Sequence, residues 1–295
     1  AGYVGEFIPM REASLIVAVV IIMGAVAAWG ITEAVWIASI MTLVELGGLI
    51  VIIASGLSAD PDVLSRLPEA LDGLHEAAVW PGIFGASMLA FFAFIGFEGM
   101  VNVAEEVREP ERTLPLAIGL TLLISTVLYI LVVWVAIHAV PRTELAGSSA
   151  PLSLVYQRVT GASPVVISLI AIVATINGII AQMVMSSRVV YGLAQQGIFP
   201  AGLGRVNAET RTPLKATALV VVLVLVLALW VPLERLADVT TRFMLVIFTL
   251  VNAALVLIKS REGPSPEGVR FRVPIVVPLA GGLSALGMLV ADLVW

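Results

Sequence analysis

Eight stretches of this chain are apolar for long enough to cross a lipid bilayer, at about residues 14–30, 33–57, 83–106, 114–140, 164–192, 213–231, 237–258 and 273–295. About 20 helical residues span the hydrocarbon core, and only helices or closed barrels can satisfy their own backbone there. That pattern sets the fold class as an all-α integral membrane protein with eight transmembrane helices. Composition agrees: only 13% of residues are charged, where a soluble domain carries about 25%. Most of these segments are apolar all round, as spans are and surface helices are not.

The connections carry unequal positive charge, with ten lysines and arginines on one set and six on the other. The richer side is cytoplasmic by the positive-inside rule, so both chain ends fall on the extracellular side of a plasma (inner) membrane. The chain begins at Ala1 and stops at Trp295 within an apolar run, so we expect a fragment of a longer polypeptide. Two outer connections, 58–81 and 141–163, are long. In the first, helical spacing after Asp60-Pro61 predicts a surface helix lying over the bundle, or a gate.

Chemistry is excluded more readily than it is assigned. There is no cysteine, and the two histidines, His75 and His138, fall at helix ends, so no metal or thiolate centre is expected. The net charge is −5 with no basic run, which argues against a nucleic-acid partner. The spans hold Glu45, Glu98, amides and hydroxyls but no nucleophile–base set, so the chain is read as no enzyme and as needing no cofactor.

The stretch Gly82–Pro115 carries the main functional signal. Two glycines flank an aromatic and an acid at Ile95-Gly96-Phe97-Glu98-Gly99, near the middle of an apolar helix. Glycine lets a membrane helix open where protein or water can satisfy the freed backbone. Broken helices of this kind build the binding sites of many secondary transporters. The backbone around Phe94, Ile95 and Gly96 is the candidate acceptor set for an ammonium group. Glu98 is a proton carrier, a hydrogen-bonded helix anchor or a solvated vestibule residue. Asn102, Glu105 and Glu106 extend that polar face into a cytoplasmic vestibule. In the fifth apolar stretch Asn177, Gln182, Ser186 and Ser187 are polar; Gln182 and Ser186 lie one turn apart and either face the site or bond between helices. The charged run Arg108, Glu109, Glu111 and Arg112 reads as a salt-bridged loop. Thr42-Leu43-Val44-Glu45 has an echo in Thr249-Leu250-Val251-Asn252, a weak sign of an inverted repeat.

These motifs resemble the amino acid–polyamine–organocation transporter superfamily. FFAFIGFE with AEEVREPERTLP resembles its sixth helix and following loop, and TLVELGGLIVI its fifth helix. Arg188, Tyr191-Gly192, Ala194, Gly197-Ile198-Phe199-Pro200 and Thr212-Pro213 resemble the end of its eighth helix and the loop beyond; Phe271-Arg272-Val273-Pro274 resembles the approach to its eleventh. The resemblance implies a LeuT-type fold of two inverted five-helix repeats, of which this chain covers the fourth to eleventh helices. Residues 1–57 would close the first repeat, 58–81 form an external loop, 82–258 the second repeat, and 259–295 a cytoplasmic loop and one further helix. The family's first helix, which holds the substrate carboxylate, would lie outside this chain.

By the same resemblance, Phe92 matches an aromatic that closes over substrate, with Phe97 beside it. Gln196 stands where the family has an acid, and Asn102, Glu105 and Arg188 are candidate gating residues. Glu45 departs from the family most, because many members carry a lysine there that stands in for a sodium ion. A carboxylate at that depth binds a cation, titrates as a coupling group, or sits protonated on backbone. The resulting expectation is a secondary active amino acid transporter working by alternating access and coupled to protons, with sodium as the alternative ion. Phe92, Phe94, Ile95, Gly96, Phe97 and Gln182 would bind substrate, and Glu45 and Glu98 would couple it. The partners are then a small amino acid, the lipid bilayer, and the family's missing helices or a partner subunit. A polyamine or organic-cation carrier and a non-transporting partial bundle that serves as a binding subunit remain open as alternatives.

Overall fold

The computed structural model describes residues 2–5, 7, 10–29, 34–261 and 273–294, and these are almost wholly helical. After the single turn α1 (Gly2–Gly5) come α2 (Glu12–Trp29), α3 (Ala34–Ala59), α4 (Trp80–Phe94) and α5 (Pro110–Ala139). Two short helices, α6 (Arg142–Gly147) and α7 (Pro151–Thr160), precede α8 (Val165–Gln195), α9 (Leu214–Trp230), α10 (Leu233–Arg261) and α11 (Val276–Val294).

Among the described residues six segments are long and apolar enough to cross a membrane: Glu12–Trp29, Ser39–Ala59, Ala77–Val101, Pro110–Ala139, Val165–Gln195 and Leu233–Arg261. The other two expected spans are shorter apolar helices, Leu214–Trp230 and Val276–Asp292. Proline sets the limits of α9: Pro213 is its N-cap and Pro232 follows its last turn. A residue with no N–H tolerates helix ends and not interiors. The connection 58–81 also differs from expectation. Val63–Leu71 is a 3₁₀ helix with Pro68 inside it, and Gly73 at φ 79° turns the chain beyond it. In an α-helix the Pro68 ring would clash with the carbonyl four residues back, that of Leu64.

The chain divides into two compact units. The first comprises Ala1–Leu67 and Leu128–Val231, the second Pro68–Val127 and Pro232–Trp295. In the first, Ile52, Val135, Val140, Val155 and Ile167 form one buried cluster, and Val20, Met23, Ala27 and Met183 another. Helices meet through small residues, as membrane helices do when packing replaces the hydrophobic drive. Gly24 faces Val221, and Gly56 faces Val135. The indole of Trp134 donates to the Val63 carbonyl at 2.7 Å and so ties the connection 58–81 to α5. Trp134→Phe would remove this bond, at a cost of about 0.5–1.5 kcal/mol. We expect a lower unfolding midpoint for the detergent-solubilised protein; an unchanged midpoint would place the anchor elsewhere.

In the second unit, α4, α10 and α11 enclose Met88, Leu245 and Ala285. Thr241 is fully buried and donates to the Met88 carbonyl at 3.3 Å. Gly281 and Gly282 let α11 close on Asn252 of α10. Arg242 grips Asp292 through Nε to Oδ2 at 2.7 Å and Nη2 to Oδ1 at 3.2 Å.

Candidate functional site

The helix α4 is built of large apolar residues, with Pro81 in its first turn where a missing N–H costs nothing. It stops at Phe94. Ile95 is extended, at φ −61° and ψ 133°, and its N–H closes a last tight turn on Phe92 at 3.1 Å. Gly96 follows at φ 131° and ψ −27°, backbone that side-chain-bearing residues rarely adopt. A 3₁₀ helix then runs from Phe97 to Glu106. The opening lies at Ile95-Gly96, inside the apolar segment Ala77–Val101.

Opening the helix frees backbone groups, and the sequence supplies one partner locally. The Gly96 N–H donates to Glu98 Oε2 at 2.7 Å, a charge-assisted bond if the acid is ionised. The Gly96 carbonyl accepts from Gly99 N–H at 3.0 Å. Among the described residues the Ile95 carbonyl has no donor. Glu98 is thereby bonded directly to the opened backbone. Phe92 is at the surface, 36% exposed, whereas Phe97 packs on Phe248 of α10 with ring centroids 5.8 Å apart. Phe91, before the break, meets the same Phe248 edge-on at 5.7 Å. The side chains of Asn102, Glu105 and Glu106 lie outside those described.

Past this 3₁₀ helix the loop is held by capping. The expected salt bridges among Arg108, Glu109, Glu111 and Arg112 are not formed among the described residues. Instead the Glu109 carbonyl accepts the amides of Arg112 and Thr113, and Thr113 Oγ1 donates to the Arg108 carbonyl at 2.8 Å. Glu109 itself sits at φ 48°. The first turn of α5 needs partners for its backbone donors, and that need sets the loop.

The other candidate residues belong to the first unit. Glu45 lies mid-way along α3, part-buried, and accepts a hydrogen bond from Asn177 Nδ2 of α8 at 2.9 Å. The sequence singles out both residues without pairing them; an acid and an amide, each near the middle of its apolar span, was the available signal. Gln182 is exposed on α8, as are Ser186 and Arg188. Ser187 is buried and bonds back to the Val184 carbonyl at 2.8 Å, the ordinary use of a serine inside a membrane helix. Arg188 makes no ion pair among the described residues. At the end of α8, Gln195 Nε2 reaches both Tyr191 Oη and the Gly204 carbonyl at 3.0 Å, and Gly197 turns at φ 78°. The motif Tyr191 to Pro200 is thereby a folded loop clasp. Phe271 and Arg272 lie outside the described residues.

Comparison with known proteins adds what one chain cannot supply. Residues 7–294 match the family described as amino acid permease. The chain is similar to the branched-chain amino acid permease BcaP of Bacillus subtilis (strain 168), 32% identical over 208 residues, covering 70% of this chain and 44% of that protein. It is also similar to the vacuolar cationic amino acid transporter 2 of Arabidopsis thaliana, 28% identical over 209 residues, covering 70% and 33%. To the BcaP of Lactococcus lactis subsp. cremoris (strain MG1363) it is 25% identical over 267 residues, covering 87% and 56%. The chain thus spans between a third and somewhat over half of these relatives' lengths. All three are transporters and none is an enzyme.

Proposed function

Because the chain belongs to the amino acid permease family, we propose that the protein of which it is part is a secondary active transporter that moves amino acids by alternating access, coupled to protons. The observation that carries this reading is the opened helix at Ile95-Gly96 within an apolar segment. A zwitterion entering a low-dielectric site needs acceptors for its ammonium and donors for its carboxylate, and an unwound helix offers backbone groups of both kinds without a full charge. The Ile95 carbonyl and its neighbours at Phe94 and Gly96 receive the ammonium. Phe92 closes over the side chain. Phe97 shapes the pocket through its packing on Phe248. Asn102, Glu105 and Arg188 govern cytoplasmic access.

In this reading α9 and α11 cross the bilayer with the six longer segments, giving eight crossings within a LeuT-type inverted repeat. The repeats divide at 1–57 and 82–258, joined by the outer connection 58–81 and followed by 259–295. The host membrane is the plasma (inner) membrane, with residues 1 and 295 facing outward. Missing helices of the longer polypeptide or a partner subunit complete the site. Glu45 and Glu98 couple transport to protons, with sodium as the alternative ion.

The test is uptake by the full-length protein in proteoliposomes with an imposed pH gradient. Leucine and arginine serve as substrates, since relatives are named for branched-chain and for cationic amino acids; competition by putrescine alone would favour a polyamine carrier. Glu45→Gln or Glu98→Gln should flatten the dependence of uptake on pH. If both variants keep the parental profile, neither acid is the coupling group.

A further inference from the structure

We infer that Asn177 is the positioning residue for Glu45, so that a carboxylate–amide pair across α3 and α8 forms the coupling site; this rests on the reading of Glu45 as a coupling group. Glu45, Gly48 and Ile52 share one face of α3, at spacings of three and four. They meet Asn177, Ile170 and Ile167 of α8 in descending order. Asn177 Nδ2 donates to Glu45 at 2.9 Å. A Cβ on Gly48 would lie 2.7 Å from Ile170 Cγ2, and Ile52 and Ile167 belong to one buried cluster. The two helices are therefore antiparallel and in register along this seam. Gly48 permits the close approach that brings a short amide side chain within reach of the acid.

Charge is sparse around this pair. Glu45 is the one ionisable residue of α3, and on α8 the next is Arg188, about 16 Å further along the axis at 1.5 Å per residue. Arg158 and Tyr156 on α7, Tyr191 near the end of α8, Tyr3 on α1, Glu12 at the start of α2 and Lys215 at the start of α9 are the other ionisable groups on the elements packed against α3 and α8, and Asp60 and His138 lie near the C-terminal end of α3. Among the described residues Asn177 is the sole hydrogen-bond partner of the carboxylate. A bond that merely joined two helices would need no acid; two amides would make it without the expense of an ionisable group at that depth. An amide also suits both states of a carboxyl. Its N–H groups serve the ionised form, and its carbonyl serves the O–H of the protonated form after a rotation. Asn177 can thus hold Glu45 in one place while a proton comes and goes.

The experiment compares two readouts of the full-length protein in proteoliposomes: accumulation driven by a proton gradient, and substrate exchange without a gradient. Asn177→Leu should depress accumulation about tenfold more than exchange, the range of coupling changes made by residues that touch neither ligand. Asn177→Ala, smaller and also without a donor, should do the same, and Asn177→Gln should recover much of the loss. In a Glu45→Gln background the leucine variant should add nothing. Equal loss of accumulation and exchange in the leucine and alanine variants, or no loss in either, would overturn the inference. If Glu45→Gln alone retains full proton-driven accumulation, the coupling role of Glu45 falls as well, so the two failures are distinguishable.

Discussion

Gly96→Val will abolish most uptake while leaving the protein inserted in the membrane. Gly96 sits at φ 131° with no neighbour within 4 Å of a notional Cβ, so the objection to valine is conformational and not steric crowding. Holding a branched residue in that region costs about 1–3 kcal/mol, and valine favours straightening the helix through Ile95. Each 1.4 kcal/mol is about tenfold in an equilibrium, so the opened form should become about ten- to a hundredfold rarer. Gly99, inside the following 3₁₀ helix, should accept alanine with a minor loss. The check is initial uptake normalised to inserted protein. A Gly96→Val variant that retains half of parental uptake would remove the open backbone from the mechanism.

The second large effect is on folding. Gly56 of α3 faces Val135 of α5 so closely that a Cβ would lie 2.8 Å from Val135 Cγ2 and closer still to Cγ1. Val135 is 2% exposed and belongs to the cluster with Ile52 and Ile167, so it has little room to retreat. Overpacking a site of this kind costs about 1–3 kcal/mol for added methylenes, and leucine adds more volume than alanine. Gly56→Leu should sharply reduce the folded yield in membranes, and Gly56→Ala should lower the thermal midpoint to a lesser degree. Val135→Ala should partly rescue Gly56→Ala, since the two positions compete for one space. Independent, additive losses would show that the contact does not limit the packing.

Much of this was legible in the sequence because the bilayer imposes a coarse rule. Long apolar runs give spans, and a Gly-aromatic-Glu-Gly group in one of them gives a break. The rule does not tell which of two glycines carries the positive φ, and here it is Gly96. Nor does apolar length alone fix helix ends: prolines shorten α9, and Pro68 turns an apparent surface helix into a 3₁₀ segment. The bond between Asn177 and Glu45 spans 132 positions; in helices apolar on every side, periodicity does not reveal which faces meet. The charged run after the break invited salt bridges, yet the Glu109 carbonyl took the Arg112 and Thr113 amides at the start of α5, and the Thr113 hydroxyl donated to the Arg108 carbonyl. The compact units also cut across the order of the chain, with the boundary at Val127–Leu128 falling inside α5.

The placement of Phe248 sets a condition on any movement of the opened helix. One ring touches Phe91 on the near side of Gly96 and Phe97 on the far side. The two segments thus bear on a single pivot supplied by α10. A change in the angle between them has to roll one aromatic ring across that pivot, and rotation of Phe248 must be felt by both arms at once. Flexing at the glycine is in this way geared to α10, and the joint has a preferred plane instead of free play.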